Sequence, residues 1–340
     1  MRTNTKSALS LQVETESWPL KEPFRISGYT FTKFDVIVVT LREGKATGRG
    51  EAAGVYYHKE TPASMTAQIE AVRSAVESGA SRQDLLQLLP AGGARNALDC
   101  AMWDIEAKRT GRRVSVLADI TAPQPLLTVY TLGANDPAHM AEGARRFSTA
   151  RALKLKLTGE PLDAERIHAV RAARPDALIT VDANQGFTRE TFLRLLPMLI
   201  GAQVALVEQP FPVGHESELD GLDSPIQIAA DESVQDRSGL DQLVGRFNVV
   251  NIKLDKCGGL TEALAMAKKA RQLGLELMVG NMGGTSLAMA PGFVLGQLCE
   301  TVDLDGPIPL KSDRSPGATY ENGHIWCSSA VWGAQDQEMV

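Results

Sequence analysis

The sequence predicts an α/β protein: a (β/α) barrel of eight strand–helix units, preceded by a smaller α+β segment. Three observations predict it. From about residue 126, short β-rich runs alternate with amphipathic helical stretches. The ends of successive runs recur at a nearly constant interval, and most runs stay apolar until they end in a charged or polar residue. The runs are LLTVYTLG, ALKLKL, ALITVD, VALVEQ, IQIAAD, FNVVNIK, LELMVGN and TVDLD, with helices such as DAERIHAVRAAR, RETFLRLLPMLI and TEALAMAKKARQLG between them. With Lys156, Asp182, Glu208, Asp231, Lys253, Gly280 and Asp305 as strand ends, the steps are 26, 26, 23, 22, 27 and 25 residues. A strand, a loop, a helix and a return loop need about that many residues, and eight such units in a row are the pattern of a closed barrel. A doubly wound open sheet rarely runs eight evenly spaced units, and no G-x-G-x-x-G follows the first strand.

The preceding segment reads as α+β. Alternation at 9–14 and 34–41 predicts strands, and EGKATGRGE predicts a turn and a short strand. Residues 61–78 and 95–110 carry helical spacing, the second with an apolar face of Ala97, Leu98, Ala101, Met102 and Ile105. The segments 21–33 and 50–60 read as loops.

Bulk properties exclude several classes. The 340 residues fit one large domain or two. Apolar residues make up 44% and charged residues 22%, and a net charge of −6 gives no basic footprint for nucleic acid. No run approaches the roughly 18 apolar residues of a membrane span, and the N-terminus lacks a continuous apolar stretch, so no secretory leader is expected. Cys100, Cys257, Cys299 and Cys327 are far apart and form no CxxC pair. They read as reduced packing thiols of a cytoplasmic protein. None of the five histidines sits at a strand end beside an acid, and G-x-S-x-G and H-x-H are absent.

In a barrel the C-terminal strand ends carry the chemistry. Here VDAN supplies Asp182 and Asn184, VEQP supplies Glu208, AADES supplies Asp231 and Glu232, and DLDGP supplies Asp303 and Asp305. A single acid at a strand end is often the cap of the next helix. Three successive strands ending in acids are not explained that way. Neighbouring strands lie about 4.7–4.9 Å apart, so Asp182, Glu208 and Asp231 converge. Their repulsion demands protonation or a cation, and an all-oxygen set favours a hard cation, most simply Mg²⁺. In ALKLKL the period of two puts Lys154 and Lys156 on one face and the leucines on the other. Strands two and six lie across the mouth from each other, so Lys156 faces Lys253, or its rival Lys256 in the following loop. A base next to a cation that stabilises an enediolate can take a proton from carbon α to a carboxylate. Two bases on opposite faces allow removal from one side and return from the other, which inverts the centre.

Together the motifs KLK, VDAN, VEQP, AADES, NIKxxKxGG and DLDGP resemble those of the enolase superfamily, in its muconate-lactonizing subgroup, over nearly the whole chain. The resemblance implies a capping domain at 1–125, a modified (β/α)7β TIM-type barrel at 126–305 and a tail at 306–340 that returns to the cap. It implies Lys156 and Lys253 as the acid/base pair, and Asp182, Glu208 and Asp231 as Mg²⁺ ligands. Lys154 would contact the metal-bound carboxylate. Asn184 and Glu232 would orient the ligands and the Lys253 amine. Paired acids at strand eight are the signature of dipeptide epimerases, so Asp303 and Asp305 would hold a substrate ammonium. Racemases of N-acylated amino acids, o-succinylbenzoate synthases and cycloisomerases share the lysines and the metal site without needing this pair. Thr131 is a substrate contact or a packing threonine. Arg25 and Lys33 would read an acidic side chain, whereas Tyr29, Phe31, Tyr56 and Tyr57 would line an apolar pocket. The expected partners are a dipeptide and further copies of the same chain.

Overall fold

The computed structural model describes residues 9–120 and 122–334. Residues 1–8, on which part of the leader expectation rests, lie outside them. An antiparallel sheet comes first, with strands β1 (Ser10–Ile26), β2 (Tyr29–Glu43) and β3 (Ala46–Ala52) in that order. The 21–33 segment is therefore not a loop. It is the distal half of a long β1–β2 hairpin, turning at Ser27 and Gly28, where φ is +76°, a backbone conformation glycine adopts without strain. Pro19 and Pro23 hid this from the alternation pattern. They sit around a register shift between Pro19 and Phe24 on the edge strand, where a missing N–H costs no ladder bond.

Helices α1 (Pro62–Glu77), α2 (Arg82–Leu88) and α3 (Gly93–Thr110) pack beside this sheet. β2 is buried on both faces. Ile37, Val39 and Leu41 join the core under the helices, whereas Val36 and Val38 join the barrel-side core. α3 is shared in the same way. Ala97, Leu98, Ala101, Met102 and Ile105 face the sheet, and Cys100, Trp103 and Ala107 face the barrel. The near-continuous apolar run of β2 follows from serving two cores. β3 meets α3 through Gly48 and Gly50, where a Cβ would run into the carbonyl oxygens of Ala101 and Ala97.

The barrel strands are Val129–Leu132, Ala152–Lys156, Leu178–Asp182, Val204–Glu208, Gln227–Ala230, Val249–Lys253, Glu276–Gly280 and Thr301–Val302, parallel and adjacent in chain order. The last strand is shorter than its apolar run suggests, and Asp303 and Asp305 lie just beyond it. At the seam between strands eight and one, side chains tie the ring. Thr128 Oγ1 accepts the Leu304 N–H at 3.0 Å, and Asp305 Oδ2 accepts the Thr131 N–H at 2.6 Å.

The chain then runs back along the first sheet. Lys21 N–H bonds the Pro309 carbonyl and Lys311 N–H bonds the Pro19 carbonyl, at 2.8 and 2.9 Å. Farther on, Arg314 pairs with Glu16 and with buried Glu51. Among the described residues no helix is long and apolar enough to cross a membrane. All four cysteines are free.

Gly50→Ala is expected to lower stability by about 1–3 kcal/mol, the usual cost of forcing atoms into a packed contact. A urea midpoint compared with wild type checks it.

Candidate active site

The KLK strand behaves as its alternation predicts. Leu153, Leu155 and Leu157 are fully buried in the core outside the ring, and Lys154 and Lys156 point into the mouth. The registers Lys156↔Asp182 and Asp182↔Glu208 set successive strand ends side by side. Asp182, Glu208 and Asp231 are buried and offer carboxylate oxygens all within 4.8 Å of one another.

Four ammonium groups answer these acids. Lys156 Nζ donates to Asp182 Oδ2 at 2.6 Å, and Lys253 Nζ donates to Asp231 Oδ2 at 2.7 Å. Lys154 Nζ lies 2.6 Å from Glu208 Oε2, 2.7 Å from Asp303 Oδ2 and 3.2 Å from Asp182 Oδ2. Lys256 does not line the cavity. Its Nζ donates to Asp231 Oδ1 at 2.6 Å and also to the Asp231 carbonyl. Lys253 thus faces the cavity and Lys256 grips Asp231 from behind, in a short helix at Leu254–Cys257.

The supporting shell differs from expectation in one respect. Asn184 serves Lys156 and not Lys253. Its Oδ1 accepts from Lys156 Nζ at 3.1 Å, its backbone N–H caps Asp182 at 2.8 Å, and its Nδ2 donates to Glu232 Oε1 at 3.3 Å. Asn184 reaches this position with φ +41°, a conformation asparagine tolerates better than most residues. Asn251, two residues before Lys253 on the same strand face, donates to Glu208 Oε1 at 2.8 Å. Alternation along FNVVNIK signals that residue, which sequence reasoning passed over.

The electrostatics are strongly polarised. Burial alone would raise the Asp182 carboxyl, but Lys156, Lys154 and Lys253 outweigh it and hold it at about 2. Asp231 is likewise driven far down by Lys253 and Lys256. Glu208 is pushed up to about 7 by burial and by the Asp182 charge, and Glu232 to about 8 by burial and Asp231. Burial would lower the Lys253 amine, yet Asp231 and Glu208 push it up.

The donors present fit a hard divalent cation. They are three converging, buried carboxylates in an all-oxygen set. Around them Asp182, Glu208, Asp231, Glu232, Asp303 and Asp305 outnumber the four ammonium groups. Such a cation supplies charge compensation to a substrate carboxylate beside the carbon that loses its proton. The lysines contact oxygens of the same three carboxylates, so a bound cation would share these acids with the amines.

One cavity opens over this set. Lys154, Lys156, Asn184, Asp231, Lys253, Asp303, Asp305 and Thr131 line its floor, and Phe24, Ile26, Phe31, Phe34, Tyr56, Tyr57 and Met282 are among those lining its apolar wall. Tyr29 is not in the lining. It is half-exposed, stacked on Phe31 and edge-on to Tyr56. Phe34 was missed because, in sequence, it reads as the start of the alternating 34–41 run, whereas it lies inside β2. Its ring packs against Gly283, at φ +90°, so closely that a Cβ there would lie 2.8 Å from it.

Thr131 meets Asp305 through its backbone N–H. Asn281 donates to the Asp303 carbonyl at 2.9 Å, which fixes the turn carrying the acid pair. Neither cation offered for an acidic side chain lines the cavity. Arg25 pairs with Glu160 at 3.0 Å, and Lys33 pairs with Asp35 at 2.9 Å.

The 50–60 segment, which includes a short 3-10 turn at Tyr56–His58, is moored by Asp255, whose Oδ1 accepts the Gly54 N–H at 2.9 Å. Burial raises the Asp255 carboxyl to about 7. An acid raised in the folded state contributes stability that is complete below its unfolded value and is lost as pH rises through about 7. Asp255→Asn, neutral throughout, is expected to gain stability relative to wild type between pH 5 and pH 8. Thermal unfolding at both pH values checks this.

Comparison with known proteins agrees with this geometry. Residues 138–325 match the family described as enolase C-terminal domain-like, and residues 8–118 match the mandelate racemase / muconate lactonizing enzyme N-terminal domain. The chain is 40% identical over 318 residues to the L-Ala-D/L-Glu epimerase of Escherichia coli K12, covering 93% of this chain and 99% of that one. It is 37% identical over 302 residues to an N-acetyl-D-glutamate racemase of a Pseudoalteromonas species, covering 88% and 95%. An enolase family member from Agrobacterium tumefaciens, with homology to dipeptide epimerases and solved with sodium and L-Ala-L-Glu, superposes with a TM-score of 0.91 at 42% identity, covering 96% and 100% of the two chains. A dipeptide epimerase from Methylococcus capsulatus, solved with Mg and L-Arg-D-Lys, superposes at 0.87 with 29% identity, covering 95% and 98%. The arrangement of strand-end acids and opposed lysines, with these matches across both parts of the chain, makes the protein a member of the enolase superfamily, in the mandelate racemase / muconate lactonizing enzyme group.

Proposed function

We propose that the protein is a Mg²⁺-dependent dipeptide epimerase that inverts one Cα by proton transfer between Lys156 and Lys253. One observation carries the reading: a single cavity lined by both lysines, by Asp231 of the carboxylate triad, and by the acid pair Asp303 and Asp305. In this reading Asp182, Glu208 and Asp231 hold the cation. Lys154 supports the substrate carboxylate end, and Asn184 and Glu232 orient Lys156 and the ligands. One lysine takes the α-proton while the other, protonated, returns one to the opposite face. Asp303 and Asp305 bind the α-ammonium of the dipeptide. Burial and the Asp303 charge push Asp305 up to about 7, and a substrate cation relieves that repulsion. We place the division between cap and barrel near residue 125, with the 306–340 tail serving the cap. We further infer that the enzyme works in the cytoplasm, in keeping with its free thiols, and that it assembles as a homo-oligomer.

A second reading, racemisation of an N-acylated amino acid, is favoured by one observation. The Asp303 carboxylate already accepts from Lys154 Nζ and the Asp305 carboxylate from the Thr131 N–H, so both serve the fold without a substrate ammonium.

The test is a panel of L-Ala-L-Glu, L-Ala-L-Phe and N-acetyl-L-glutamate with Mg²⁺ in D₂O, read by mass and chirality. Dipeptides are expected to exchange and invert. Lys156→Ala and Lys253→Ala are each expected to abolish inversion, while each keeps exchange of the one epimer whose proton faces the remaining lysine. Exchange confined to N-acetyl-L-glutamate would sink the dipeptide assignment. Asp303→Asn is expected to lower kcat/KM on dipeptides by roughly 10- to 100-fold, the weight of a charge-assisted bond. A loss of the same size on N-acetyl-L-glutamate would mean a structural role.

A further inference from the structure

We infer that the Tyr57 hydroxyl is a substrate-binding donor, delivered by the 50–60 segment to the carboxylate attached to the reacting carbon. This rests on the epimerase reading and adds a residue to its site.

The argument begins with hydrogen-bond accounting. Tyr57 Oη is buried and has no hydrogen-bond partner among the described residues. Native proteins rarely leave a buried donor unpaired, because its desolvation is uncompensated. The orphan is not a consequence of a loose segment. Asp255 and Glu60 hold the preceding backbone, with Glu60 Oε2 accepting the Val55 N–H at 2.7 Å and also reaching the Gly93 N–H at 3.1 Å. The ring is wedged edge-on between Tyr56 and His58, with centroids 5.1 and 4.7 Å away.

Tyr57 lines the same cavity as Lys156 and Lys253. Its place within that cavity selects the group it meets. The segment that carries it is moored to Asp255, two residues beyond Lys253, whose Nζ contacts Asp231 of the triad. It therefore stands toward the triad end, where the epimerase reading puts the substrate carboxylate. A phenol carries one O–H to donate, and with no acceptor among the described residues that donor is left for a ligand. When a lysine Nζ takes the α-proton, the bonding pair left on carbon spreads into the adjacent carboxylate. A donor aimed there binds more strongly as that charge grows.

A structural role makes the opposite prediction. There, Tyr57 Oη would reach Glu232 through bridging solvent, and its loss would weaken the fold. Tyr57→Phe keeps the ring and removes the hydroxyl alone. We expect kcat/KM on whichever of L-Ala-L-Glu, L-Ala-L-Phe and N-acetyl-L-glutamate the wild type turns over to fall roughly 10- to 100-fold, mostly in kcat. The melting temperature of the ligand-free variant should be unchanged or raised. Wild-type turnover in Tyr57→Phe, or a melting temperature lowered by several degrees, overturns the assignment. If the wild type is silent on all three substrates, the epimerase reading fails. Tyr57 is then judged by melting alone, and the assignment falls if the hydroxyl proves to stabilise the fold.

Discussion

The mouth of the barrel depends on one buried ammonium. Lys154 is almost inaccessible, at 1% exposure, and its Nζ lies within 3.2 Å of Asp182, Glu208 and Asp303. Carboxylates from the third, fourth and eighth strand ends thereby share one positive charge. Without it their repulsion in a low-dielectric interior would run to several kcal/mol. The lysine has no room to solvate itself, and its amine is pushed well up by these acids against the effect of burial. It is the electrostatic link between the triad and the acid pair of strand eight, two clusters that the sequence separates by more than seventy residues. The other amines have narrower tasks. Lys256 fixes one edge of Asp231 and leaves the other to Lys253.

Much of this was legible because barrel geometry converts sequence spacing into position. Period-two alternation in ALKLKL gives the side of the ring that each residue faces. The recurrence of strand ends gives their neighbours, and the registers of Lys156, Asp182 and Glu208 follow from both. What was not legible depends on side-chain reach or on contacts between distant segments. The partner of Asn184 turned out to be Lys156, because a left-handed backbone at 184 swings the amide back toward strand two. Arg25 alternates outward between Phe24 and Ile26, so its charge leaves the cavity those neighbours line. The hairpin beyond residue 20 was hidden by two prolines, although its two arms pair with each other from Phe24 with Phe31 to Ile26 with Tyr29.

The two cores explain why the first sheet can present its loops with precision. β2 and α3 each donate one face to the helices around them and the other to the barrel. Backbone-to-backbone bonds at Lys21 and Lys311 add a second mooring. Phe24, Phe31, Phe34, Tyr56 and Tyr57 are carried by this frame, not by free loops, and the aromatic wall inherits its rigidity.

The seam of the barrel has a consequence for how such a site changes over time. Strands one and eight are joined at the mouth through the Asp305 carboxylate on the Thr131 N–H and the Thr128 hydroxyl on the Leu304 N–H. Asp305 also lines the floor of the cavity. The aromatic residues of the wall take no part in these two bonds, so changing them acts first on the shape of the cavity. A change at Asp305 opens the ring as well. The descendants of this protein can therefore explore new chemistry through the aromatic wall far more readily than through the strand that closes the circle.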